Sequence, residues 1–173
     1  MTGRPAAPAP LVTVRPIRAS DAPALERFYA GLSVDSRTSR FLGAAPSIGH
    51  GQASAFCSAD HEHREGFVAV LGGADGGPVI GHVCIEPDAV DRAEVAIAVA
   101  DAYQGQGIGH RLLAAAVGWA RGAGLHRLDA TAFVTNSGII RLMRGLGVPV
   151  RVDWDGGSVC GLVMDLTEGQ LAA

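Results

Sequence analysis

The residues that most clearly predict chemistry lie between positions 92 and 109, where the chain reads RAEVAIAVADAYQGQGIG. An apolar run typical of a β-strand breaks into a turn that contains Gly105, Gly107 and Gly109, and a helical pattern follows at once. A glycine-rich turn that opens a helix directs several backbone N–H groups at one point, which suits the binding of an anion. The sequence therefore predicts that this turn holds a negatively charged ligand.

The strand before the turn has two different faces, because successive side chains of a strand point to opposite sides. One set of alternating residues is suited to pack against a helix, and the other set is small apart from one carboxylate. The first set is Ala93, Val95, Ile97 and Val99, and the second is Glu94, Ala96, Ala98 and Ala100. A carboxylate among small residues indicates room for a ligand, although Glu94 could also be a solvated or Arg92-paired residue at a strand edge.

A dinucleotide-binding unit is one alternative for this turn, because it combines a strand, a G-x-G run, a helix and Asp129 at about the expected distance. Two features oppose it. The third glycine of the G-x-G-x-x-G pattern would fall at His110, and four residues separate the strand from Gly105 where a Rossmann turn is tight.

The turn Gln104-Gly105-Gln106-Gly107-Ile108-Gly109 resembles the Q/R-x-x-G-x-G/A acetyl-CoA signature of the GNAT superfamily of N-acetyltransferases. The later segment NSGIIRLMRGLGV, residues 136–148, resembles the N-x-x-A-x-x-L-Y-x-x-x-G-F segment of that family. The segments VRPIRASDAPAL and LSVDSRTSRF, and the spacing of AEVAIAVADAYQGQGIGHRLL, are similar to the catalytic domain of bacterial protein-lysine acetyltransferases. The resemblance covers about residues 12–165.

This resemblance implies acetyl-CoA as co-substrate, with its pyrophosphate on the amides of the turn and its pantetheine arm facing Asn136. The residues that it assigns to the cofactor are Ala98, Val99, Gln104, Gly105, Gln106, Gly107, Ile108, Gly109, His110 and Asn136.

The resemblance also assigns a general base to Glu94 and a hydrogen-bond donor for the thioester carbonyl to the backbone amide of Val99. A base is needed because a lysine amine, with a pKa of about 10.4, is almost entirely protonated at neutral pH. Glu86 is a weaker alternative base. Direct attack by the amine is favoured, since the chain has no cysteine or serine in a nucleophile motif.

One position departs from the family pattern, because Met143 stands where a tyrosine often does. A tyrosine general acid is therefore in doubt, and Met143 itself fits a core residue. A thiol with a pKa near 8.5 leaves tolerably well as thiolate, so water suffices as a proton source, and Ser137 is the alternative proton donor.

The resemblance places Arg40 and Phe41 on the acceptor side of the cleft, and His82 is a further candidate there. His82 fits a hydrogen-bonded cleft or core residue better than a catalyst, and Arg40 is consistent with an acidic feature in the acceptor. A protein lysine is the favoured acceptor. The alternatives are a small-molecule amine and a non-catalytic acyl-CoA-binding sensor of the same fold.

The composition limits other partners. A net charge of −3 and an isoelectric point near 6.0 give no reason to expect nucleic acid or an anionic membrane surface. Three scattered cysteines and a start without a signal sequence predict a cytoplasmic protein with reduced thiols, and the state could be monomer or homodimer. The spacing of Cys57, His61 and His63 lacks a fourth ligand, so no metal is expected.

The 173 residues predict a single domain over 11–166, with a disordered Pro/Ala tail at 1–10 and a C-terminal tail at 167–173. The predicted class is α/β of the α+β type, with a mixed sheet of about six to seven strands covered by helices on both faces, and the resemblance implies the GNAT fold. Ser20 is predicted to cap the first helix, and Pro87 with Asp88 to form a turn. Further helices are predicted at 33–41, 47–60, 107–121 and after Asn136.

Overall fold

The computed structural model describes residues 11–44, 47–73 and 77–167. These residues form seven strands, five α-helices and two short 3-10 turns, Ala19–Asp21 and Asp101–Tyr103. The strands are β1 Val12–Pro16, β2 Glu65–Leu71, β3 Val79–Ala89, β4 Arg92–Val99, β5 Arg127–Phe133, β6 Val150–Asp153 and β7 Val159–Asp165. The helices are α1 Ala22–Gly31, α2 Val34–Phe41, α3 His50–Cys57, α4 Ile108–Gly122 and α5 Ser137–Arg144.

All seven strands form one sheet in the order β1-β2-β3-β4-β5-β7-β6. Every neighbouring pair is antiparallel except β4 and β5, which are parallel and are connected through α4. The predicted mixed sheet is confirmed. A largely antiparallel sheet is not the doubly wound parallel sheet of dinucleotide-binding domains, so that alternative is wrong.

The core has two layers, one on each face of the sheet. On one face α4 packs its apolar stripe, including Leu112, Leu113 and Ala116, against the strands. On the other face α1 and α3 cover the sheet through residues such as Leu25, Tyr29 and Ala53. The alternation predicted for β4 follows this division, since Ala93 and Val95 belong to the first layer and Ala98 to the second.

Two predicted boundaries are wrong. Ser20 lies inside the 3-10 turn, and Asp21 is the N-cap of α1; its carboxylate accepts hydrogen bonds from the backbone N–H of Arg18 at 2.8 Å and from both terminal nitrogens of Arg15. Pro87 does not turn the chain, because β3 continues to Ala89. A register shift between Pro87 and Ala89 accommodates the missing N–H of proline.

Two of the other helices begin at a residue whose side chain caps the helix. Ser33 caps α2 by accepting from the backbone N–H of Ser36, and Asn136 caps α5 by accepting from that of Ile139. The predicted tail at 1–10 lies outside the described residues, as does all of the C-terminal tail except Thr167. Within the described ranges, no helix is both long and apolar enough to cross a membrane.

Candidate active site

A cleft opens where β4 and β5 separate. Their parallel pairing covers Arg92, Ala93 and Glu94, whereas β4 continues to Val99 and β5 stays paired with β7 as far as Phe133. The cleft has a volume of about 1010 Å³ and is lined by the second half of β4, the glycine turn, α2 and the start of α5. Part of β4 therefore presents its backbone edge to the cleft.

The backbone of Val99 points into this cleft. The N–H of Ala100 donates to Ile80 of the neighbouring strand at 2.9 Å. Successive residues of a strand direct their backbone groups to opposite sides, so the N–H and C=O of Val99 face away from β3. The side-chain amide of Gln104 donates to the Val99 carbonyl at 3.0 Å, which leaves the Val99 N–H as a donor at the cleft.

The glycine turn has the backbone shape that an anion site requires. Gly105 and Gly107 have φ values of +73° and +81°, in the left-handed region that other residues rarely adopt. Gly107 is the N-cap of α4 and supplies no side-chain cap, so the N–H groups of the first helical turn lack intrahelical acceptors. These donors and the positive end of the helix dipole favour a phosphate group here.

Close packing explains the third glycine. A Cβ on Gly109 would lie 3.0 Å from Cδ2 of Leu142 on α5. His110, the next residue, places Nε2 3.3 Å from the Gly145 carbonyl oxygen and lines the cleft. The turn is thus seated directly against α5.

A hydrogen-bonded clasp, formed by Asp101, Ser33, Ser36 and Gln104, joins α2 to this turn. The Asp101 carboxylate accepts from the Ser33 backbone N–H at 2.9 Å and from the hydroxyls of Ser33 and Ser36 at 2.6 and 2.7 Å. Gln104 donates to the Ser36 hydroxyl at 3.2 Å. Burial opposes ionisation of Asp101, but these hydrogen bonds prevail and lower its pKa below the ordinary value.

The two candidate bases stand side by side on β3 and β4 with different surroundings. Glu86 and Glu94 are partners in the strand register, and Glu86 accepts from Arg64 at 2.7 Å. Glu94 lines the cleft, is exposed, and has no ion pair with any described residue. Arg92, its alternative partner, is bonded to Asp88 at 2.9 Å, so the Arg92-paired interpretation of Glu94 is wrong.

Arg40 lines the acceptor side of the cleft, and an aromatic cluster lies behind it. The Tyr29 hydroxyl and Nδ1 of His82 are 2.9 Å apart, and both side chains are buried. Burial raises the pKa of Tyr29 to about 12, whereas burial and the Arg40 charge lower that of His82 to about 3. Both groups are therefore neutral at physiological pH.

Several predicted site residues occupy other positions than expected. His82 is 0% exposed and lies outside the cleft lining, so direct contact with an acceptor does not fit its position. The ring of Phe41 lies beneath the Arg40 guanidinium, and its centre is 5.0 Å from Cζ of Arg40. Ser137 is also outside the lining and accepts from Arg141 at 3.0 Å.

Of the remaining predicted cofactor residues, some line the cleft and others do not. Ala98 and Asn136 line the cleft, and the side-chain oxygen of Asn136 accepts the hydrogen bond that caps α5. Ile108 is buried in the core, and Gln106 donates to the Ala102 carbonyl at 3.0 Å. Met143 is 1% exposed and belongs to the core cluster, as predicted.

Sequence reasoning missed the Asp101 clasp and the pairing of Tyr29 with His82. Asp101 and Ser33 are 68 residues apart, and Tyr29 and His82 are 53 apart. No local pattern links such residues. The two histidines of the apparent metal spacing each have a carboxylate neighbour: His61 lies 2.8 Å from Glu65, and His63 lies 3.4 Å from Asp60.

Comparison with known proteins gives one family and many structural relatives. The model of the acetyltransferase (GNAT) family matches residues 35–148. The GNAT domain of PAT from S. lividans is 28% identical, with a TM-score of 0.77 over 91% of this chain and 96% of that one.

Two more distant structures share the fold. The yncA protein of Salmonella typhimurium, solved with its cofactor acetyl-CoA, is 20% identical with a TM-score of 0.69 over 92% of this chain and 96% of that one. Ribosomal-protein-alanine N-acetyltransferase from Brucella melitensis is 21% identical with a TM-score of 0.68, over 88% and 97%.

Proposed function

This chain belongs to the GNAT family of acetyltransferases, and we propose that it transfers an acetyl group from acetyl-CoA to an acceptor amine with Glu94 as general base. The observation that carries the proposal is the position of Glu94, which lines the cleft without an ion-pair partner among the described residues. Glu86 is already engaged with Arg64. An unengaged carboxylate can take the proton that an attacking amine must lose.

The residues of the cleft fit acetyl-CoA. The turn amides at the start of α4 suit its pyrophosphate, and Asn136 suits the pantetheine arm where β4 and β5 diverge. When bound, acetyl-CoA supplies the thioester that the amine attacks. The Val99 N–H would then donate to the carbonyl oxygen as negative charge develops there, a contribution that typically accelerates acyl transfer.

Solvent is the proposed proton source for the departing thiolate. The chain has two tyrosines, Tyr29 and Tyr103, and neither lines the cleft. Tyr29 is also buried, with a pKa of about 12 and its hydroxyl bonded to His82. Ser137 lies outside the cleft lining, so its proposed role as an acid loses support.

A protein lysine is the first acceptor to test. Its support is the resemblance of segments 14–25, 32–41 and 93–113 to bacterial protein-lysine acetyltransferases, together with the likeness to the GNAT domain of PAT. A small-molecule amine is the second. We place the reaction in a reducing, cytoplasmic setting, where the three buried free cysteines would remain thiols.

The deciding experiment measures thiol release from acetyl-CoA, corrected for hydrolysis, against lysine peptides and small amines. Glu94→Gln should lower kcat/KM by roughly 10²- to 10⁴-fold, because it removes the base and keeps the shape. Glu86→Gln is the matched control on the neighbouring strand and should change the rate far less.

Two outcomes would contradict the proposal. If Glu94→Gln left the rate unchanged across pH, Glu94 would not be the base. If acetyl-CoA raised the melting temperature but no acceptor released thiol, the protein would be an acyl-CoA-binding sensor.

A further inference from the structure

Arg40 holds its guanidinium group in an enclosed position at the acceptor side of the cleft. Nη2 donates to Sγ of Cys84 at 3.2 Å, and the group lies 5.0 Å from the ring centre of Phe41 and 5.7 Å from that of Phe56. Its Nε is buried and has no hydrogen-bond partner. A buried donor without an acceptor is costly, so an anionic partner for the rest of this guanidinium group would be favourable.

No carboxylate of the described residues forms an ion pair with Arg40. Two other partly buried arginines differ: Arg15 is bonded to Asp21 at 2.7 Å, and Arg64 to Glu86 at the same distance. Burial disfavours the charged form of Arg40, but Tyr29, Cys84 and Glu94 outweigh it and raise the pKa above its ordinary value. The side chain thus brings a permanent positive charge to the cleft.

The strand register fixes Arg40 relative to the proposed base. Cys84, which Arg40 contacts, is the register partner of Ala96 on β4. Ala96 lies two positions after Glu94 on the same face, and two strand residues span about 7 Å. This separation is measured along the backbone, and both side chains stand out from the strand, so one small acceptor lying above the strand can contact both of them.

We propose that Arg40 is a specificity residue that binds a carboxylate carried by the acceptor, close to the amine that is acetylated at Glu94. This inference rests on the proposed function and names the acceptor as an amine with a neighbouring anion. The carboxylate is that of a small amino acid, or an acidic side chain beside a lysine in a polypeptide. The planar guanidinium fork suits such a group better than the point charge of a lysine.

The test compares matched acceptors that differ in the carboxylate alone. One pair is β-alanine and its amide, and the other is a peptide with lysine beside glutamate or beside glutamine. Rates are measured with the intact chain, Arg40→Met and Arg40→Lys. Amidation also changes the pKa of the amine itself, so the two acceptors of a pair differ in rate even without Arg40. We therefore take the ratio of kcat/KM for the acid to kcat/KM for the amide, and divide its value in the intact chain by its value in the variant.

For at least one pair, we expect this quotient to be about 10- to 100-fold for Arg40→Met, the range of a charge-assisted hydrogen bond. Arg40→Lys should restore part of the preference. Arg144→Met, an exposed arginine on α5, is the control and should give a quotient near one. The pair that shows the effect identifies the source of the carboxylate. Quotients near one for both pairs with Arg40→Met would overturn the inference.

A second measurement separates this inference from the proposed function. If no acceptor releases thiol, the acetyltransferase proposal fails, and Arg40 is then judged by melting temperature with β-alanine or the glutamate peptide added to the CoA-loaded protein. A rise that Arg40→Met abolishes supports the carboxylate site. The absence of a rise, or an equal rise in Arg40→Met, overturns it.

Discussion

His82 should make the stability of this protein strongly dependent on pH below neutrality. It is fully buried, with Nδ1 bonded to the Tyr29 hydroxyl and no hydrogen-bond partner for Nε2. Burial and the nearby charge of Arg40 lower its pKa to about 3, whereas a histidine of the unfolded chain titrates at 6.5. Between these values the unfolded state binds more protons than the folded state, so the free energy of unfolding falls as the pH falls.

The magnitude follows from the difference between the two pKa values. The contribution of His82 to the free energy of unfolding is complete above the unfolded pKa of 6.5. It decreases by about 1.4 kcal/mol for each pH unit below that value, until the pH nears the folded pKa. From pH 7.5 to pH 4.5, His82 alone should therefore remove about 2–3 kcal/mol from the free energy of unfolding. That is a large part of the ordinary stability of a domain.

Urea unfolding at pH 7.5, 5.5 and 4.5 measures this effect in the intact chain and in His82→Gln. Glutamine does not titrate, so the variant should lose about 2–3 kcal/mol less over the same pH range, whatever its stability at pH 7.5. Comparing the two pH profiles cancels the contribution of the carboxylates. His126→Gln, with a side chain 64% exposed, is the control and should follow the intact chain. Parallel profiles for the intact chain and His82→Gln would refute the reasoning.

Two further predictions concern the turn and the clasp. Gly107→Ala should lower the free energy of unfolding by about 1–2 kcal/mol, because its φ is +81°, and should weaken acetyl-CoA binding in calorimetry. Gly118→Ala is the control, because a Cβ there has open space inside α4, and it should cause neither loss. Equal affinities in the two variants would count against the turn as the cofactor site. Asp101→Ala should lower the melting temperature by about 2–4 °C through loss of roughly 1 kcal/mol, and the double variant with Ser36→Ala should lose less than the sum of the two single losses. Full additivity of the two changes would contradict the clasp.

The sequence predicted those parts of the fold that depend on neighbouring residues. The β4 strand, the glycine turn, α4 and the Asn136 cap appear where expected, because alternation, left-handed glycines and capping act over a few residues. Ser20 and Pro87 show the limit of such rules. Asp21 displaced Ser20 because Arg15 and the Arg18 N–H bind its carboxylate, and the irregular register next to Pro87 let the strand continue.

The arrangement of the candidate site was predictable where one segment carries it and not where distant segments meet. Glu94 and the turn lie within residues 92–109, so their shared cleft followed from local order. The separation of β4 from β5 depends on tertiary packing instead. The burial of His82 likewise requires α1 and α3 to cover β3, with Tyr29 and Phe56 against the ring. Alternation alone could not distinguish a cleft position from one sealed by a helix.

The clasp connects the glycine turn, where we propose that the cofactor binds, to α2, where we propose that the acceptor binds. The Ser36 hydroxyl donates to Asp101 and accepts from Gln104, and Gln104 also holds the Val99 carbonyl. The same helix, α2, carries Arg40 at its other end. These bonds link the glycine turn to α2, and so to the charge that we assign to acceptor recognition. An acetyltransferase gains from this arrangement, because the amine must meet the thioester carbonyl within a narrow range of positions for transfer to occur.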